Sequence, residues 1–159
     1  MTTKTTVEIL SDLEVVSERI FDAPRQLVYD TLVDPTLIPE WWGPRGTITV
    51  VDEMDVRPGG KWRFVHDPGT EQETGFRGEF RELNPPESVV QTFEWEGMPG
   101  HVIVEQAFLE DLGDGRTKFR NVSSFASKED RDGMLASGME SGQQETHDRF
   151  AELLTRISA

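Results

Sequence analysis

The sequence predicts an α+β domain in which a long C-terminal helix packs across a curved antiparallel sheet of seven strands, with two short helices after the first strand. Three observations predict it. Residues 13–21 have the β-branched and apolar content of a strand, residues 47–125 alternate extended runs with strong turn signals, and about thirty residues after them have helical periodicity. We expect a single domain over residues 13–157, preceded by an N-terminal extension at residues 1–12.

The composition excludes several classes of function. The chain has 159 residues, enough for one core, and no cysteine, so disulfides, thiolate metal sites and cysteine nucleophiles are excluded. A net charge of −14 argues against nucleic acid or an anionic membrane as the main partner. Neither a signal-peptide pattern nor an apolar run of about 20 residues is present. We therefore expect a cytoplasmic protein without membrane insertion, as a monomer or homodimer.

Two proline-marked boundaries predict the short helices. The first strand stops at Asp22, and Pro24 suits the first turn of a helix because its missing N–H would be unpaired there anyway. At the second boundary, Asp34 can cap a helix that Pro35 opens. That second helix carries the tandem tryptophans at 41–42.

The middle of the chain predicts an antiparallel meander. Alternation is clear around Trp62 and Phe64, which oppose the charged Lys61 and Arg63, so one face is apolar and the other charged. Turns rich in proline, glycine, asparagine and aspartate separate six expected strands, at residues 47–56, 61–66, 73–83, 88–95, 102–110 and 116–125.

The C-terminal part predicts an interrupted helix. Ser127 with Asp130 has the spacing of one capping box, and Ser137 with Glu140 that of a second, so we expect a break near Gly138. The face of the second segment that covers the sheet should carry Met139, Gln143, Thr146, Phe150, Leu153, Leu154 and Ile157.

Gly142 interrupts that last helix at a cost of about 1 kcal/mol relative to alanine. Two explanations are open: a close approach of helix and sheet, or room for a ligand.

Several stretches of the chain form a recognisable set of motifs: RIFDAP (19–24), WWGPRG (41–46), DVRPGGKWRF (55–64), GEFRELNPPE (78–87), and SGMESG (137–142) with DRFAELL (148–154). Together they resemble the Aha1-like (activator of Hsp90 ATPase homologue) branch of the START-related helix-grip superfamily. The resemblance implies a helix-grip fold with an internal cavity, and some members of the superfamily are thought to use polar pocket groups for cyclase or aromatase chemistry.

Most large aromatic residues fall on one strand parity or at the end of the second helix, where they either form an ordinary core or line a cavity. Trp41 and Trp42 either cap the core or form the mouth of the pocket. We expect no metal and no cofactor. The candidate cavity residues are Trp41, Trp42, Trp62, Phe64, Phe76, Phe80, Phe93, Trp95, His101, Phe108, Phe119, Met139, Gly142 and Thr146.

The three histidines, His66, His101 and His147, lack any metal-binding spacing. We expect them at the surface, although His101 and His147 could converge on the cavity as general acids or bases.

Among the carboxylates, Glu82, Glu94 and Glu105 fall within expected strands. Cross-strand ion pairs with arginines 63, 77, 81 or 120 are the first expectation. A glutamate that faced the cavity would instead have a raised pKa and would be a candidate acid.

Three functions follow from these predictions. The first is non-catalytic binding of a small apolar or amphipathic molecule, such as a lipid, a polyketide-like compound or an aromatic compound. The second, from the resemblance, is a protein-interaction role with a chaperone. The third is an enzyme of cyclase, aromatase or hydrolase type that uses pocket groups such as His101, Glu94 or His147. The sequence alone does not assign a catalytic residue.

Overall fold

Eight antiparallel strands form one sheet in the computed structural model, which describes residues 4–158. The spatial order of the strands is β1-β2-β8-β7-β6-β5-β4-β3. In chain order the elements are β1 (Thr6–Ile9), β2 (Glu14–Phe21), α1 (Arg25–Leu32), α2 (Ile38–Trp41), β3 (Thr49–Met54), β4 (Lys61–His66), β5 (Thr74–Asn84), β6 (Ser88–Trp95), β7 (Ile103–Gly113), β8 (Arg116–Ser124), α3 (Lys128–Ala136) and α4 (Met139–Ser158).

The predicted fold class is confirmed, but the sheet has eight strands rather than seven. The additional strand is β1, which lies in the segment that we expected to be an extension. It pairs antiparallel with β2, with Thr6 opposite Glu18 and Ile9 opposite Val15. With only four residues, β1 is too short to give a clear alternation signal in the sequence.

The two short helices begin close to the predicted prolines. Helix α1 starts at Arg25, one residue after Pro24. Helix α2 starts at Ile38, later than predicted, because the Asp34 side chain caps the preceding turn by accepting hydrogen bonds from the backbone N–H and the hydroxyl of Thr36, at 2.9 and 2.7 Å.

The break between α3 and α4 lies at Gly138, as predicted, where φ is +88°. Ser127 caps α3 as predicted, since its hydroxyl accepts the backbone N–H of Asp130 at 3.1 Å. The second predicted capping box is wrong. Ser137 donates its hydroxyl to the carbonyl of Met134 at 2.6 Å, and it therefore ends α3 instead of starting α4.

Helix α4 packs its apolar side against the inner face of the sheet and buries Phe150, Leu153 and Leu154. Ion pairing adds a link to the sheet, because the buried guanidinium of Arg19 on β2 lies 2.7 Å from the carboxylate of Asp148. Within residues 4–158, none of the helices is long and apolar enough to cross a membrane.

Candidate functional site

A cavity of about 420 Å³ lies between the first half of α4, the segment after α2 and the inner face of strands β4 to β8. Eleven of the fourteen candidate residues line it; whether they bind a ligand stays a prediction. These eleven are Trp41, Trp42, Trp62, Phe64, Phe76, Phe80, Phe93, Phe119, Met139, Gly142 and Thr146.

Two of the other candidates lie outside the cavity wall, Trp95 at the end of β6 and His101 in the loop between β6 and β7. Trp95 has the inward parity of β6 but is the last residue of that strand; it is 41% exposed, and its indole N–H donates to the hydroxyl of Thr74 at 2.6 Å. His101 is exposed, with Nδ1 2.8 Å from a carboxylate oxygen of Asp130. Their prediction as cavity residues is wrong.

Phe108, the third exception, lies on the outer face of the sheet and is 42% exposed. The inward positions of β7 are Ile103, Glu105, Ala107 and Leu109. A carboxylate therefore occupies an inward position, and this hides the alternation from which the orientation of Phe108 would have been read.

Aromatic rings fill the part of the wall formed by β4, β5 and β6. We define the aromatic cluster as Trp42, Trp62, Phe64, His66, Phe76 and Phe93. The Trp42 ring is at its centre, with ring centroids 5.0 Å from Phe64, 5.1 Å from His66 and 5.2 Å from Phe76. These separations and the steep interplanar angles are those of edge-to-face packing.

The tandem tryptophans Trp41 and Trp42 have different surroundings. Trp41 is buried and packs edge-on against Phe150 of α4, with ring centroids 4.8 Å apart, so it belongs to the core as well as to the wall. Trp42 faces the aromatic residues of the sheet and lines the cavity.

Arg149 of α4 holds the segment that follows Trp42. Its guanidinium donates to the carbonyls of Gly43 at 2.9 Å and Pro44 at 3.3 Å. Gly43 is required there, since its φ is +99° and an added Cβ would lie 2.8 Å from Nε2 of His66. The segment after Trp42 is thus fixed from the helix side and from the sheet side.

A hydrogen-bonded polar group occupies the part of the wall formed by β7 and β8. We define the carboxyl cluster as Glu105, Asn121 and Ser123. One carboxylate oxygen of Glu105, Oε2, accepts from the amide of Asn121 and from the hydroxyl of Ser123, the latter at 2.7 Å. Burial raises the pKa of the Glu105 carboxyl.

The three glutamates weighed from the sequence have different environments. Glu105 faces the cavity and has the raised pKa expected of such a residue. Glu94 instead accepts from the backbone N–H of Gly100 and from Arg77, its cross-strand neighbour, and these hydrogen bonds lower its pKa. Glu82 is exposed.

The expectation of surface histidines is wrong for two of the three. His147 is buried in the cavity wall, where its Nδ1 lies 2.7 Å from the hydroxyl of Thr5, and burial lowers its pKa to about 4. Burial also lowers the pKa of His66, which belongs to the aromatic cluster. Both histidines are therefore neutral at pH 7.

The surroundings of Gly142 distinguish between the two explanations offered for this glycine. A Cβ built at this position would meet no atom within 4 Å, so close helix–sheet packing does not require the glycine. The residue lines the cavity, and its lack of a side chain leaves that part of the cavity open.

Sequence reasoning missed three polar wall residues, namely Gln91, Asn121 and Ser123, whereas Gln143 was expected on the face of the last helix that covers the sheet. The strand parity of Phe119 could have found two of them, because Asn121 and Ser123 follow it at intervals of two on β8. Among the described residues, histidine, aspartate and glutamate side chains form no group of three or more that could hold a metal ion.

One antiparallel sheet with a long C-terminal helix packed across it is the arrangement of the helix-grip class. The chain belongs to the family described as "Activator of Hsp90 ATPase homolog 1-like protein", which it matches over residues 22–155. A comparison with curated proteins gives no match.

Solved structures share this fold at low sequence identity. A protein from Rhodobacter sphaeroides is 20% identical with a TM-score of 0.87, and 97% of this chain aligns with 99% of that one. A protein from Arthrobacter aurescens is 23% identical with a TM-score of 0.85, covering 95% and 91%. The AHSA1 protein from Silicibacter pomeroyi is 21% identical with a TM-score of 0.73, covering 91% and 99%.

Proposed function

We propose that this protein binds a small apolar or amphipathic molecule in the cavity between α4 and the sheet. The observation that carries the proposal is the cavity of about 420 Å³, which is within the range of about 300–1,000 Å³ typical of small-molecule sites. Its wall is mostly aromatic and aliphatic, as the proposal requires.

The arrangement of polar groups supports an amphipathic ligand more than a purely apolar one. An apolar body would contact the aromatic cluster, and a polar group would reach the carboxyl cluster on the other part of the same wall. A few polar groups in an apolar pocket fix the orientation of the ligand.

The test is a substitution on helix α4 that places a larger side chain in the cavity. The Gly142→Leu substitution adds a side chain where open space exists, and it should weaken binding of a neutral probe, naphthylmethanol, by about tenfold or more. Isothermal titration calorimetry measures the affinity, and native mass spectrometry of the purified protein detects any molecule that stays bound.

Gly133→Leu is the matched control. Gly133 is also helical and also has no neighbour within 4 Å of its Cβ position, but it is exposed on α3 and outside the cavity wall. It should leave probe binding unchanged. Equal probe affinity of the native protein and the Gly142→Leu variant would contradict the proposed site.

The carboxyl cluster also favours a second candidate, an enzyme in which Glu105 acts as a general acid. A carboxyl with a raised pKa beside hydrogen-bonding partners meets the chemical requirement for that role. Mass spectrometry of a ligand before and after incubation with the protein distinguishes the candidates, since binding alone returns the ligand unchanged. The chaperone role stays a prediction, tested by stimulation of a chaperone ATPase.

A further inference from the structure

One oxygen of the Glu105 carboxylate has no partner in the cavity wall. The wall residues Trp41, Trp62, His66 and Gln143 also have a polar atom without a hydrogen-bond partner among residues 4–158, but those atoms are buried. Oε2 of Glu105 accepts two hydrogen bonds, whereas Oε1 accepts none from any of residues 4–158. The side chain keeps part of its surface accessible and lines the cavity, so Oε1 is the oxygen available to a ligand. An acceptor in this position requires a donor.

The acidic and basic side chains of the cavity wall are not balanced in number. The cavity is lined by this one carboxylate and by neither lysine nor arginine, within the part of the chain that the structure describes. The nearby arginines have other partners: Arg19 pairs with Asp148, and Arg149 donates to backbone carbonyls. Since both wall histidines have lowered pKa values, they add no positive charge at pH 7.

The aromatic cluster supplies the second half of a cation site. Ring faces carry negative electrostatic potential, and organic cations bind in contact with them. The indole Nε1 of Trp62 has no hydrogen-bond partner among residues 4–158, but it is buried over Gly78, 2.5 Å from where a Cβ would be, and is therefore not accessible to a ligand acceptor. The net charge of −14 further favours the entry of cations over anions.

We propose that the ligand is an apolar amine, whose protonated nitrogen binds Oε1 of Glu105 while its hydrocarbon or aromatic body contacts the aromatic cluster. This inference rests on the proposed function and adds the chemical class of the ligand. A bound ammonium group would also offset the cost of ionising a carboxyl whose pKa burial has raised.

Three probes that differ in a single group test it: naphthylmethylamine, naphthylmethanol and naphthoic acid. For the native protein at pH 7, calorimetry should give an affinity for the amine about tenfold or more above that for the alcohol, with the acid weakest, because a charge-assisted hydrogen bond exceeds a neutral one. Glu105→Gln should remove the preference for the amine while the alcohol still binds, since glutamine keeps an oxygen that can accept from Asn121 and Ser123.

Glu110→Gln is the control, on the same strand but exposed. It should keep the full preference. Alcohol affinity equal to or above amine affinity in the native protein would overturn the inference and leave the proposed function standing; this comparison does not depend on how well any variant folds. Failure of all three probes to bind would overturn both.

Discussion

The aromatic cluster and the carboxyl cluster face one cavity, but they are stabilised in different ways. The rings of the aromatic cluster pack against one another, edge-to-face between Trp42 and its neighbours Phe64 and Phe76 and tilted around Phe93. Glu105 is held by two hydrogen bonds and keeps an unused acceptor. Because Oε1 of Glu105 is an accessible acceptor, whereas the unpaired Nε1 of Trp62 and Nε2 of His66 are buried, we propose that the carboxyl cluster selects the chemistry of the ligand.

The buried histidines, His66 of the aromatic cluster and His147 nearby in the cavity wall, and the carboxyl cluster have opposite effects on how the stability of the fold depends on pH. A neutral buried histidine opposes protonation, so His66 and His147 favour folding at higher pH. Glu105, with a raised pKa, binds its proton more tightly in the folded chain than in the unfolded one. Its contribution to the free energy of unfolding therefore falls as the pH rises. The first of the four predictions below measures this pH dependence, and the other three concern the segment after Trp42 and Gly142.

The largest expected effect is the pH dependence due to His147. Its pKa is about 4 in the fold and about 6.5 in the unfolded chain, so its contribution is complete above pH 6.5 and is lost as the pH falls toward 4. That loss should be about 3 kcal/mol, because each pKa unit corresponds to about 1.4 kcal/mol. Urea unfolding of the native protein and of His147→Asn over this pH range measures it. Identical pH dependence in both proteins would contradict the assignment.

The next effect concerns the attachment of the aromatic cluster to α4. Arg149→Met removes the donor to the carbonyls of Gly43 and Pro44 and should lower the free energy of unfolding by about 2–3 kcal/mol. Arg156→Met, on the exposed side of the same helix, should change it by less than about 0.5 kcal/mol. Urea unfolding compares the two, and similar losses would show that charge on α4, rather than the carbonyl contacts, matters.

A related substitution tests the sheet side of the same segment. Gly43→Ala forces a Cβ against His66 at a positive φ and should cost about 2 kcal/mol. Gly46→Ala has a similar φ of +87° but no neighbour within 4 Å, so it should cost about 1 kcal/mol. Thermal unfolding of both variants isolates the contact with His66, and equal losses would mean that this contact has no effect.

The smallest expected effect is a gain in stability at Gly142, in the part of the cavity wall that α4 forms. Gly142→Ala restores helix propensity without meeting another atom, and it should stabilise the protein by up to about 1 kcal/mol. Thermal unfolding measures the gain. A loss instead would mean that the helix packs more closely there than the open space implies.

The sequence predicted the elements better than the orientation of side chains within them. Turn residues and caps are local signals, and they correctly gave the strands from 13 to 125 and the break at Gly138. Phe108 was placed on the wrong face because the strand β7 carries Glu105 at an inward position, which contradicts the rule of charged residues facing outward. Gln91, Asn121 and Ser123, which were not predicted to line the cavity, lie on the two neighbouring strands beside that glutamate.

Burial of His66 and His147 could not be read from the sequence for a different reason. Each histidine is surrounded by residues distant in the chain; His147, for example, has Thr5 as its partner across 142 positions. Only the assembled sheet and the docked helix bring these groups together, so no local pattern contains the information.

Strand β1 has a consequence for how the molecule behaves in concentrated solution. By pairing with residues 15–18 it covers backbone N–H and C=O groups of half of the eight-residue strand β2, which would otherwise form part of an exposed edge able to recruit a second chain. At the opposite border, β3 carries Asp52 and Glu53 where the pairing register shifts. Charge and an irregular register both discourage edge-to-edge association. Removing residues 4–9 should therefore promote aggregation.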